Sequence, residues 1–248
     1  MSGHSKWSKI KRKKGANDSK RSQMFTKLIK EISVAAKLGG PDPSGNSRLY
    51  VAIQNAKGSN MPKDNIERAI KKGSGADAAN YQEVNYEGYG PAKVAIFVEC
   101  LTDNMNRSLA NVRNIFNKLG GSLATNGTLD FVFEQKGIIV FAVPKMDEET
   151  LTLELIDAGA EDVEIEDGEV NVTTPREDFG QVQKKLRDMH IEPQSANLQR
   201  IPRIHKKLDG EEFKKAMRLI EALEEDEDVQ NVYHNIEMSE ELMGLYED

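Results

Sequence analysis

The chain has 248 residues, is 38% hydrophobic and 30% charged, and carries a formal net charge of −7. That length allows one large domain or two to three small ones, and the composition is that of an ordinary soluble globular protein. No apolar run approaches the ~20 residues of a membrane span and the N-terminus lacks the apolar stretch of a secretory signal, so a cytoplasmic protein with no membrane partner is expected.

The charge is not spread evenly. Residues 1–80 hold 17 Lys and Arg against 6 Asp and Glu, a net of +11, whereas residues 81–248 hold 17 against 35, a net of −18. Such asymmetry predicts a polyanionic partner for the first region. The extreme case is an arm over residues 1–15, where six of the twelve residues from Ser5 to Ala16 are basic and none is acidic. It has no hydrophobic periodicity and is expected to be extended when unbound.

Three helices follow. The first runs from about Ser19 to Leu38, with Phe25, Leu28, Ile29, Ile32, Ala35 and Ala36 on the 3.6-residue period. Gly39-Gly40-Pro41 stops it. The second spans about Ser47 to Lys57, with Leu49, Ala52, Ile53 and Ala56 inward. The third begins at Asp64, which with Glu67 has the spacing of a capping box, and ends at Gly73. Residues 72–80 read as a linker rich in small residues.

After Tyr81 the period changes. Strands are predicted at 93–100, 122–125, 128–134, 137–143, 162–166, 169–173, 194–200 and 229–236. Helices are predicted at 105–119, 147–158, 176–189 and 211–223. The order from 137 to 200 is β-α-β-β-α-β, the ferredoxin-like pattern, and 93–134 with 211–236 gives the same order if the first unit is inserted into it. The fold class is therefore α+β, an N-terminal three-helix domain followed by two ferredoxin-like domains, the second nested in the first. The expected domains are 1–80, 81–135 with 204–248, and 136–203.

Motifs of catalysis are weak. Gly73-Ser74-Gly75-Ala76-Asp77-Ala78 matches a dinucleotide fingerprint formally, but it follows a helix and enters a linker, where the motif needs a strand before it and a helix after it. The glycines of Glu87-Gly88-Tyr89-Gly90-Pro91-Ala92-Lys93 lack phosphate-loop spacing and read as a tight turn. His4, His190, His205 and His234 have no metal-ligand spacing. The run Glu224-Glu225-Asp226-Glu227-Asp228 reads as a solvated acidic helix end. Cys100 is the lone cysteine, set in an apolar run, and reads as a buried structural thiol in a reducing compartment. No catalytic residue, metal or cofactor is expected.

The arm offers more. Lys6, Lys9, Lys11, Arg12, Lys13 and Lys14 can each neutralise a phosphate, and Trp7 among them can stack on an exposed base. On a helical wheel Lys20, Lys27, Lys30 and Lys37 of the first helix fall opposite its apolar residues. With Arg21 they extend the arm into one basic stripe, to which Arg48, Lys57, Lys63, Arg68, Lys71 and Lys72 add charge. A secondary anion contact is expected at Asn104, Asn106 and Arg107, where a strand hands over to a helix N-terminus. The competing reading there has Asp103 capping the helix while Arg107 makes a surface ion pair.

Gly3-His4-Ser5-Lys6-Trp7, Phe25-Thr26-Lys27-Leu28-Ile29-Lys30-Glu31-Ile32, Leu38-Gly39-Gly40-Pro41-Asp42-Pro43, the stretch 60–73, Tyr86-Glu87-Gly88-Tyr89-Gly90-Pro91 and the stretch 102–108 together resemble the YebC/PmpR family, essentially over the whole chain. Only Met1 and Ser2 precede Gly3, so the resemblance is to the bacterial, cytoplasmic type rather than to the mitochondrial translational activator. Residues 8–15 are more basic than the arm usual in that family. The resemblance implies three domains, no known catalytic activity, and a role as a DNA-binding transcriptional regulator or as a ribosome-associated translation factor. Neither a helix-turn-helix nor an RNA-recognition signature is evident.

The leading expectation is thus a non-enzymatic nucleic-acid-binding regulator of gene expression, probable target DNA. The alternative is a translation factor on ribosomal RNA, with the ribosome as partner. An expectation of another class is a small-molecule-binding or enzymatic α+β protein, with a cleft between the nested domains as its site.

Overall fold

The computed structural model describes residues 18–76 and 78–247. They form two compact units, one of residues up to Lys27 with 79–134 and 201–248, the other of 28–78 with 135–200. The division falls inside the first helix and inside two strands, Phe133–Ala142 and Ser195–Pro202.

In the second unit, α1 (Asp18–Gly39) ends at Gly40, whose φ of 87° sends the chain out of the helix. Ile32 to Ala36 are all buried, a wider buried band than the wheel alone implies. The reason is a close crossing. The Ser33 hydroxyl donates to the Ala69 carbonyl at 3.1 Å, and a Cβ on Gly73 would lie 2.2 Å from the Ser33 carbonyl oxygen. Helix α2 (Ser47–Gly58) is capped by buried Asn46, whose side chain accepts from the Leu49 N–H at 3.0 Å and donates to the Ala35 and Gly40 carbonyls. One amide therefore starts α2 and ties it to the end of α1. Helix α3 (Lys63–Ser74) departs from expectation. Pro62, which has no side chain able to accept, takes the cap position, so Asp64 falls inside the first turn and no capping box forms. Lys63 and Glu67 pair instead at 3.3 Å.

The same unit holds a sheet of β4 (Phe133–Ala142), β5 (Asp162–Glu166), β6 (Glu169–Pro175) and β7 (Ser195–Pro202), with α5 (Glu148–Asp157) and α6 (Phe179–Asp188). The spatial order is β5-β6-β4-β7, the ferredoxin-like one. Asp167 and Gly168, both at positive φ, make the two-residue turn between β5 and β6. Ile139, Phe141, Leu151, Leu155, Val172 and Leu186 fill its core. Helix α2 is bolted to β7: Asn55 accepts from the Ala196 N–H at 2.8 Å and donates to the Ala196 carbonyl and the Asn197 side chain.

The first unit holds β1 (Gln82–Tyr89), β2 (Ala95–Thr102), β3 (Ser122–Leu123) and β8 (Val229–His234), with α4 (Met105–Lys118), α7 (Gly210–Glu224) and α8 (Glu240–Glu247). The sheet order is β3-β1-β2-β8, each neighbour antiparallel. This is the same spatial arrangement as in the other sheet, but one strand is exchanged. The third-strand place belongs to β1, which the sequence reading passed over. Residues 128–132, read as the start of a strand, turn instead, and the strand begins at Phe133. The cause is Glu87, 3% exposed, whose carboxylate accepts from the Gly127 and Leu129 N–H groups at 2.7 Å each. Those amides bond a side chain and so are lost to a ladder. Helices α4, α7 and α8 cover one face of the sheet, around Phe116, Phe213, Leu219 and Leu223. Leu129, Val132 and Phe133 cover Ala95 and Phe97 on the other face. Among the described residues no helix is long and apolar enough to cross a membrane.

Candidate nucleic-acid interface

The arm residues Lys6, Trp7, Lys9, Lys11, Arg12, Lys13 and Lys14 lie outside the described residues. The helical part of the predicted stripe can be followed residue by residue. Lys20 is half-buried. Arg21 is exposed, and its guanidinium stands 5.4 Å from the centroid of the Phe25 ring, a cation–π contact one turn along α1. The Lys27 ammonium donates to the Glu224 carbonyl at 2.8 Å and that of Lys37 to the Ala78 carbonyl at 3.1 Å. Lys30 is half-buried. Two of the lysines opposite the apolar stripe thus reach carbonyl oxygens of the fold. A carbonyl oxygen carries no formal charge, so these two bonds hold the ammonium groups in place without themselves being ion pairs.

Beyond α1 the cations sort by what stands beside them. Arg48 grips Glu31 with Nε at 2.7 Å and is neutralised. Arg68 donates to the Asp64 carbonyl and the Asn65 side chain, which lie on its own helix. Lys57, Lys71 and Lys72 are exposed, the last two in the final turn of α3, where a cation also meets the negative end of the helix dipole. The region from Lys20 to Lys72 therefore presents lysine ammonium groups on the surface of a small helical packing whose interior is apolar.

The secondary site is a different matter. Asn104, not Asp103, caps α4, accepting from the Arg107 N–H at 3.0 Å. The Arg107 guanidinium bonds both oxygens of Asp228, at 2.8 to 3.1 Å, and Asp103 at 2.8 Å. Asp228 is 3% exposed. These bonds hold the guanidinium still more firmly in its charged form, Asp228 being the largest cause. Two carboxylates against one guanidinium leave the trio at −1. Of the three residues expected as an anion contact, Asn104 caps the helix and Arg107 holds a buried carboxylate, while Asn104, Asn106 and Arg107 are all exposed. Asp228 is 121 residues away in sequence, and nothing local betrays it.

Cys100 is buried, and burial pushes its thiol up to about 12. Tyr81 and Tyr86 are likewise raised, chiefly by burial and then by neighbouring acidic groups. Among the described residues no three His, Cys, Asp or Glu side chains gather as metal ligands.

Residues 5–76 match the model of the TACO1/YebC protein N-terminal domain, and residues 81–236 match that of the TACO1/YebC second and third domain. A probable transcriptional regulatory protein of Amoebophilus asiaticus is 54% identical over 95% of this chain and 98% of its own. One of the same name from Treponema denticola is 52% identical over 97% and 98%. Among solved structures, a conserved hypothetical protein from Aquifex aeolicus aligns with a TM-score of 0.78 at 41% identity, covering 90% of this chain and 93% of that one.

Proposed function

The chain belongs to the TACO1/YebC family, and from that premise and the segregation of its charge we propose that it is a non-enzymatic nucleic-acid-binding regulator of gene expression. The observation that carries the reading is the contrast of +11 over residues 1–80 with −18 over the rest. The relatives' description as probable transcriptional regulatory proteins supports DNA as the first target.

The arm residues Lys6, Lys9, Lys11, Arg12, Lys13 and Lys14 neutralise phosphates, and Trp7 stacks on a base where one is unpaired. Lys20, Arg21, Lys27 and Lys30 carry the positive potential along α1, and exposed Lys57, Lys71 and Lys72 widen it. Residues 1–80 act as the binding module. Residues 81–135 with 204–248, and 136–203, form two acidic α+β domains that repel phosphate and so bias the orientation of encounter.

Titration of duplex DNA and of structured RNA across a salt series tests this. Roughly five to eight phosphate contacts imply a log–log slope on the order of −4 to −7. A slope near zero removes the basic stripe as the binding surface. Crosslinking in cells, with sequencing of bound DNA and bound RNA, then separates promoters from ribosomal RNA.

A further inference from the structure

The first unit carries a second place where an aromatic ring and cations meet, far in sequence from the arm. Phe131 is 62% exposed, yet it sits on a rigid loop. Glu87 holds the Gly127 and Leu129 amides, the Thr128 hydroxyl donates to the Thr125 carbonyl, and Val132 N–H closes on the Leu129 carbonyl at 2.9 Å. Leu129, Val132 and Phe133 are buried around it. The loop that carries this ring is braced by a buried carboxylate and three buried neighbours, so its backbone has little freedom left to lose when something stacks on the ring.

Beside it runs Arg203-Ile204-His205-Lys206-Lys207, a basic run within a region of net −18. The Arg203 N–H donates to the Val132 carbonyl at 2.8 Å, which sets Ile204, 49% exposed, next to the Phe131 loop. The Lys206 N–H to Asn235 carbonyl bond and the Asn235 side chain on the Ile204 carbonyl fix the run. Acids are present too. Arg203 pairs with Glu134 at 2.9 Å, Lys207 with Glu237 at 3.7 Å, and Asp130 is exposed on the loop. The Arg203 and Lys207 side chains are themselves more than half exposed, and pairs of that kind contribute little and are readily exchanged for a phosphate.

We propose that Phe131 with Arg203, Ile204 and Lys207 is a contact for single-stranded nucleic acid, the ring stacking on an unpaired base while Arg203 and Lys207 exchange their carboxylates for the flanking phosphates. This rests on the reading of the chain as a nucleic-acid-binding protein and adds to it a ligand class, unpaired bases. Duplex bases are already stacked and cannot use the ring.

The test is equilibrium binding of the full chain to a labelled uridine-rich RNA and to a matched RNA duplex. Phe131→Ala should weaken the single strand about tenfold and the duplex by less than about twofold, with Phe131→Trp restoring the single-strand affinity. Arg203→Ala with Lys207→Ala should shrink the single-strand salt slope by roughly 1 to 1.5. Unchanged melting temperatures establish that the variants are folded. As an independent measurement, 4-thiouridine in the same RNA should crosslink to the peptide that contains Phe131. Equal loss on both ligands, or single-strand binding by Phe131→Ala as tight as wild type, overturns the inference while leaving the arm in place. Binding of wild type to neither RNA nor DNA overturns the proposed function with it.

Discussion

The helices from Lys20 to Lys72 and the two sheets use cations in opposite ways. In the helical region Lys57, Lys71 and Lys72 are exposed, and Lys27 and Lys37 each reach a carbonyl oxygen. In the sheet-bearing regions Arg107 is spent on Asp228, Lys136 on Glu161 and Lys185 on Glu154. Residues 1–80 and residues 81–248 each hold 17 Lys and Arg, and the acid count, 6 against 35, decides the difference. A cation's availability to phosphate is set by how many carboxylates share its neighbourhood, not by how many cations there are.

The sharpest way to break this contrast is to neutralise the arm. Changing Lys11, Arg12, Lys13 and Lys14 to Ala should weaken binding of any nucleic acid by about 10²-fold or more at moderate salt. It should also reduce the salt slope by about 3–4, since phosphate contacts carry no base information. Deleting residues 1–15 should do the same and leave the melting temperature nearly unchanged. An unfolded deletion variant would mean that Trp7 belongs to a core.

The second effect is on packing. Gly73→Ala would place a Cβ 2.2 Å from the Ser33 carbonyl oxygen, and Gly58→Ala one 1.8 Å from that of Gln194. Each should destabilise by about 1–3 kcal/mol or more, read as a fall in the denaturant midpoint. If α1, α2 and α3 owe their positions to these crossings, each variant should also weaken nucleic-acid binding. Unaltered stability would show that the helices can separate freely.

A third comparison sets one cation of each kind against the other. Arg107→Ala leaves a buried carboxylate uncompensated, so it should lower the melting temperature while nucleic-acid affinity holds. Lys71→Ala with Lys72→Ala should do the reverse, reducing affinity and salt slope with little change in stability. Equal behaviour of the two variants would erase the distinction.

The smallest effect is at Cys100. Its thiol is protonated at neutral pH because burial pushes it up to about 12, so a thiol reagent at pH 8 should react only as fast as the chain opens. The folded group holds its proton more tightly than the unfolded one. Its contribution to stability is complete below the ordinary thiol value of 9.0 and is lost as pH rises from there to about 12. Prompt labelling of the native protein would place Cys100 at the surface.

Local pattern alone determined much of this molecule. The charge step at residue 80, the three helices with their glycine stop, and the β-α-β-β-α-β order from 137 to 200 all follow from periods and punctuation within about ten residues. Other features rest on partners distant in the chain. Gln82 to Tyr89 alternates only weakly, because one of its faces carries Glu87 for a loop 40 residues on, and it was passed over as a strand. Residues 128–133 alternate well, yet the same carboxylate bends the chain before Phe133. Asp64 stands in cap spacing, but the cap falls two residues sooner, at Pro62. Arg107 could be read as an anion contact or as one half of an ion pair, and the fold sets Asp228 against it. Propensity and charge are properties of residues and can be read in order along the chain. Which amide a carboxylate takes, and which guanidinium a buried carboxylate takes, depends on distance in space, and only the tertiary structure decides that.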